Sequence, residues 1–287
     1  MFNTTKRHLP QLLCIACLGL AGAAQAADWS DTSISYRTGN DYREPFNPQD
    51  ISKHIFALTH VSGYKYGTNF FNADFLISDK KDPASLNQSG GAQEAYILYR
   101  NTFDLGKISG KAIKFGPVSG VGITAGFDVN TKNDVGYNSR KRMLVLGPTL
   151  MWDVPGHLNT SLLLLNESNA PSGAFAPISG VTGRYTYKTH AMLAADWSIP
   201  VSSLVAFEGF ANFIGSKGKN EFGGDTASET NIDMQIMYDL SAAVGAGKNT
   251  FKVGVEYQYW KNKFGNSDHG NPGATAKTPM IRAEYHF

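Results

Sequence analysis

Thr278-Pro-Met-Ile-Arg-Ala-Glu-Tyr-His-Phe287 ends the chain. Ile281, Ala283, Tyr285 and Phe287 fall on one side of an extended strand, and Met280, Arg282, Glu284 and His286 on the other, because side chains alternate with period 2. Chain ends are ordinarily frayed and polar. An alternating strand that finishes on an aromatic is expected where the last strand must pair with the first, as in a closed membrane barrel. The edge of a soluble sandwich is the competing reading.

The front of the chain points the same way. Lys6, Arg7 and His8 precede a short apolar run, Leu12 to Leu20, and Ala24-Gln25-Ala26 supplies the small residues of a cleavage site. This predicts a secretory signal peptide over 1–26 and a single mature domain over 27–287. The run is too short to span a bilayer as a helix. Acylation of Cys17 is the weaker alternative, since Cys14 stands where a lipoprotein signal wants an aliphatic residue. Both cysteines, Cys14 and Cys17, lie in this segment. The mature domain is therefore expected to lack disulfides, thiol chemistry and cysteine metal sites. Its 24 basic residues balance 24 acidic ones once Lys6 and Arg7 are removed, which argues against a nucleic-acid partner.

After the signal the longest aliphatic run is Leu162 to Leu165, so no helical span is expected. Twelve alternating segments are instead predicted: Ser30–Arg37, Lys53–Ser62, Gly67–Ser78, Ala92–Leu105, Val118–Val129, Lys141–Trp152, His157–Asn166, Arg184–Trp197, Leu204–Ile214, Thr230–Asp239, Thr250–Lys261 and Thr278–Phe287. Thr250–Lys261 is typical: Phe251, Val253, Val255, Tyr257 and Tyr259 oppose Lys252, Glu256 and Gln258. In Lys53–Ser62 and Lys141–Trp152 both faces carry apolar residues, and the pattern leaves the register open.

Strands of roughly ten residues, with charge on one face and aromatics near the ends of the other, predict an all-β, transmembrane antiparallel β-barrel of about 12 strands. Trp152, Trp197, Tyr238 and Tyr259 suit interfacial girdles. Long polar stretches at Thr38–Ser52, Asp79–Gly91, Asn130–Arg140, Glu167–Gly183, Gly215–Glu229 and Asn262–Ala276 alternate with mostly shorter connections. Long loops outside and short turns within place both termini in the periplasm of a Gram-negative cell outer membrane.

Several motifs then become recognisable: Glu44-Pro45, His60-Val61-Ser62-Gly63-Tyr64-Lys65-Tyr66-Gly67, Asn69-Phe70-Phe71 with Asp74, Glu94 with Arg100, Phe115-Gly116-Pro117, and the terminal Tyr285-His286-Phe287. Together they resemble the nucleoside-specific channel-forming family (Tsx-like, including OmpK-type proteins). The resemblance implies a monomeric twelve-stranded barrel with a narrow channel, nucleoside passage, and loops that phage exploit as a receptor. Between Asn130 and Glu229 only the alternation continues, and the motifs carry over no nucleoside-contacting residue.

The residue pattern itself turns Asp74, Glu94, Arg100, Asp128, Glu208, Asp233, Glu256, Arg282 and Glu284 inward. Mixed signs suit a small polar solute better than an ion pore built from rings of one sign. Phe210, Trp260 and Tyr96 are candidates to stack on a base. The candidate pore lining is thus Asp74, Glu94, Arg100, Glu208, Phe210, Asp233, Glu256 and Arg282. The competing reading makes these charges mutual neutralisers, with Glu94 and Arg100 in one internal ion-pair network. Arg140-Lys141-Arg142 reads as a solvated rim, or as a contact for lipopolysaccharide phosphates. His54, His60, His157, His190, His269 and His286 lack metal-ligand spacing, so no metal or other cofactor is expected. The expected function is passive uptake of small polar solutes such as nucleosides, with outer-membrane lipids and the barrel assembly machinery as further partners. The alternatives are a weakly conducting surface barrel used in adhesion or by phage, and a membrane-embedded enzyme. For the enzyme the sequence offers only the adjacent Asp268-His269 pair, which reads as a turn.

Overall fold

The computed structural model describes residues 27–174 and 183–287, so the expected signal peptide lies outside the described residues. The strands are β1 (Ala27–Glu44), β2 (Asn47–Tyr64), β3 (Gly67–Ser78), β4 (Gln93–Asp104), β5 (Val118–Lys132), β6 (Arg140–Trp152), β7 (His157–Asn169), β8 (Tyr185–Thr186), β9 (His190–Pro200), β10 (Val205–Ile214), β11 (Glu229–Asp239), β12 (Phe251–Lys261) and β13 (Thr275–His286). Twelve of them pair antiparallel in chain order and close β13 onto β1, with β8 a two-residue addition on β7. Closure leaves no open sheet edge, which a bilayer core requires because it offers backbone groups no water to bond.

Alternation sorts the two faces. Ile236, Val255 and Ile281 are 53%, 61% and 69% exposed, whereas Asp233, Glu256 and Glu284 are 8%, 3% and 5% exposed. Leu144, Leu146, Leu162, Leu164, Leu193 and Phe213 continue the outward apolar belt. This is the inverse of a soluble barrel, and the protein is an outer-membrane β-barrel. The two registers left open by the pattern resolve with Ile51, Lys53, Ile55 and Ala57 inward on β2, and Val145 and Thr149 inward on β6.

Thr38–Ser52, expected as a loop, is instead strand. β1 and β2 run on to a two-residue turn at Pro45-Phe46, with Phe46 at φ 65. Proline at the second turn position and positive φ at the third define a type II turn. Above the membrane the outer face need not be apolar, so the strand continues without alternation. A register shift between Gly39 and Tyr42 also scrambles the period. Gly39 is required there, because a Cβ would sit 2.6 Å from the Pro279 carbonyl oxygen. Arg184–Trp197, expected as one strand, splits into β8 and β9. The longer turn at Gly106–Pro117 opens with a short helix, α1 (Leu105–Ser109), which the Asp104 carboxylate caps by accepting from the Gly106 and Lys107 N–H groups.

The closing strand is held to its end. Ser33 to Thr38 pair with His286 to Ile281, and the Phe287 N–H donates to the Thr32 carbonyl at 3.0 Å. The Phe287 ring lies on the lipid face, 68% exposed and 6.0 Å from that of Tyr285. Deleting Phe287, or Phe287→Asp, should at least halve the heat-modifiable, folded fraction at native expression levels. Undiminished insertion would refute a closing role for this residue.

Candidate functional site

The barrel interior is built in tiers. Arg37 and Arg282 are register partners on β1 and β13 and both point inward. Like charges directly opposite repel. Glu256 on β12 offsets this, one oxygen 2.9 Å from Arg282 Nη1 and the other 3.4 Å from Arg37 Nε. Arg37 also donates to Asp74 at 2.7 Å, and Arg282 to Glu284 at 2.6 Å. Gln235 and Ser198 donate to Glu208 at 2.8 and 3.0 Å, and Gln258 donates to Asp233 at 3.1 Å. Arg100 pairs with Asp128, which also accepts from the Tyr96 hydroxyl at 2.6 Å. The charged belt thus follows the wall from β9 through β1 to β5.

The remaining wall differs. Thr102, Thr124, Thr149 and Ser161 form a hydroxyl ladder across β4–β7 with spacings of 2.8, 2.6 and 2.8 Å. On β6, β7, β9 and β10, Val145, Leu163, Leu165 and Met192 pack with Met143, Ala194 and Ile214 in an apolar patch. Along the charged belt the lumen is therefore two-faced, charged on one wall and apolar with hydroxyls on the other. A second apolar cluster, Tyr42, Ile51, Ile55 and Met280 with Leu76, lies on the charged side.

At the extracellular end, lysines gather around carboxylates. Glu44 lies 2.6 Å from Lys53, 3.2 Å from Lys263 and 3.6 Å from Lys132, while Lys132 is 2.9 Å from Asp82. Glu167 lies 2.8 Å from Lys217 and 3.5 Å from Lys141. Rings cover four of these cations: Lys263 is 4.6 Å from the Trp260 centroid, Lys217 4.3 Å from Tyr187, Lys141 4.0 Å from Phe264, and Lys53 5.5 Å from Tyr42. Cation–π contacts strengthen where the cation is desolvated. Lys217 and Lys263 reach in from the loops after β10 and β12, so the loops themselves narrow the mouth.

All eight candidate residues lie on inward-facing strand positions. Asp74, Glu256 and Arg282 come together through Arg37, which sits on the charged side of its segment but was not among the candidates. Glu94 stands apart from Arg100. It accepts from Asn130 and lies 3.9 Å from Lys53, in the extracellular tier. The expected Glu94–Arg100 network is not formed, because six residues of strand separate them by roughly 20 Å. Phe210, half-buried, lies between Asp196 on β9 and Asp233 on β11. Trp260 donates to Glu229 at 2.6 Å and packs edge-on against Phe264, and Tyr96 is held by Asp128, which leaves Phe210 as the available ring. Asp268 pairs with Lys261 at 3.7 Å, and Asp–His contacts form elsewhere, between Asp196 and His157 and between Asp31 and His286. Among the described residues no group of His, Cys, Asp and Glu could hold a metal.

One rim contact titrates near neutrality. In the loop between β5 and β6, Asp134 accepts from the Gly136 and Tyr137 N–H groups at 2.7 and 2.9 Å, while Val135 N–H bonds the Pro83 carbonyl at 3.0 Å. Burial and the neighbouring Asp82 carboxylate push the Asp134 carboxyl up from 3.8 to about 7. A raised carboxyl stabilises the fold while protonated, fully below about pH 4, and this is lost as pH rises through about 7. Amide exchange over 133–139 should therefore be faster at pH 8 than at pH 5, after correction for intrinsic rates. Asp134→Asn should remove the difference; a difference that persists would assign it to another group.

No family model matches the chain, and no curated protein matches it either. Among solved structures it is similar to an outer membrane channel from Pseudomonas putida F1 (10% identity over 91% of this chain and 96% of that one, TM-score 0.47). It is also similar to the NanC porin (11%, 90% and 99%, TM-score 0.44) and the KdgM porin (9%, 89% and 99%, TM-score 0.41).

Proposed function

We propose that the protein is a channel for passive uptake of small polar solutes, and that nucleosides are the solute class. The two-faced lumen carries this reading. A nucleoside has a hydroxylated sugar and a flat, weakly polar base. The sugar can donate to Asp74, Glu208 or Asp233 while the base lies against Phe210 and the apolar wall of β6, β7, β9 and β10. Stacking on a ring is worth about 1–3 kcal/mol, weak enough for release. Balanced charges along the belt leave no ring of one sign, which an ion-selective pore would favour. The sequence motifs that resemble those of the nucleoside-channel family support the same solute.

The test is conductance of the purified protein in planar bilayers. Adenosine or thymidine at millimolar levels should reduce the current, and Phe210→Ala should weaken that block about tenfold while ion conductance holds or rises. Current that ignores both nucleosides would refute the solute. Absence of current would favour the surface-barrel reading, which the exposed apolar loop residues Phe46 and Leu86, at 81% and 84% exposure, also support.

A further inference from the structure

Lys141 is drawn into the lumen, and its neighbours Arg140 and Arg142 are left exposed on β6. Arg184, just before β8, joins them. Its Nη1 donates to the Arg140 carbonyl at 3.0 Å and to Ser168 Oγ at 3.2 Å, while Arg140 Nη2 donates to Ser172 Oγ at 3.0 Å. Slight burial and the charges of Arg142 and Arg140 lower the Arg184 pKa. Among the described residues none of the three arginines makes an ion pair, whereas Lys53, Lys132, Lys141, Lys217 and Lys263 of the extracellular tier all do. Residues 1–26 and 175–182 contain no Asp or Glu, so no carboxylate of the chain remains to pair them.

Directly below lies apolar wall. Leu144 follows Arg142 on the same face of β6, about 7 Å further along. With Ala125, Leu146 and Leu164 it lines an outward groove of about 450 Å³. Three uncompensated guanidinium groups repel one another, and an anion at their level relieves this. Guanidinium matches phosphate through paired N–H donors, and an acyl chain matches the groove beneath.

We propose that this wall binds an acylated, phosphorylated sugar lipid of the outer leaflet, of lipopolysaccharide type. Arg140, Arg142 and Arg184 take the phosphate, and an acyl chain lies along Leu144, Leu146 and Leu164. The site is independent of the channel reading, since it faces lipid and uses no lumenal residue.

The test uses the folded protein in detergent, with diphosphoryl lipid A as the probe and native mass spectrometry as the readout. The unmodified protein should retain one lipid A, and Arg142→Gln/Arg184→Gln should weaken retention about tenfold or more. Lys277→Gln, on the outer face of β13 across the barrel, should bind as the unmodified protein does. Arg184→Gln alone, at a position outside the barrel strands, should give a partial loss and serves if the double variant fails to fold. Dephosphorylated lipid A should bind as weakly as the double variant does. Equal retention by the arginine variants, or by dephosphorylated lipid A, would overturn the proposal. Displacement of lipid A by millimolar inorganic phosphate would also overturn it, by reducing the site to one for a bare anion.

Discussion

Glu256→Leu should destabilise the barrel by about 3–5 kcal/mol, the range for removing one member of a buried ion pair. The side chain of Glu256 is 1% exposed and stands between two arginines that are direct cross-strand neighbours. Without it Arg37 keeps Asp74 and Arg282 keeps Glu284, but the two guanidinium groups face each other with nothing between them. Both arginines flank the β1–β13 seam that closes the barrel, so the loss falls where closure is set. Urea unfolding in lipid vesicles, followed by heat-modifiable migration, reads the effect. Adding Arg282→Met should recover much of the loss, because it removes the uncompensated charge. A cost below about 1 kcal/mol, or no recovery in the double variant, would show that the belt is solvated enough to screen the repulsion.

The second large effect distinguishes the two faces at adjacent positions. Ile236→Arg puts a charge on the lipid face of β11, two residues inside Tyr238, and should cost about 2 kcal/mol or more; arginine at the midplane of a barrel costs about 2–4 kcal/mol. Gln235 faces the lumen and donates to Glu208. Gln235→Arg gains a carboxylate partner and should fold nearly as the unmodified protein does. Equal damage at both positions would contradict the assignment of faces.

The sequence alone was enough for the twelve strands, for the apolar side of all but Lys53–Ser62 and Lys141–Trp152, and for the strand faces that carry the eight candidate residues. These follow from a period of 2 that each strand carries within itself, because lipid outside and water inside impose opposite requirements on neighbouring residues. Gly67–Ser78 is strand from end to end as the alternation predicts. Where lipid no longer constrains the outer face, as in Thr38–Ser52, the signal vanishes and only the β1–β2 ladder reveals the strand. The partners of each charge lay equally beyond local pattern. Arg37 meets Arg282 and Glu256 only because closure brings the first strand beside the last, more than 200 residues away. Lys217 and Lys263 reach the mouth from irregular loops, which have no period to read. Alternation is a property of one strand, whereas register, closure and loop docking are properties of several at once. Tertiary structure therefore decided which charges neutralise one another, which ring stays free, and which three arginines were left facing the lipid.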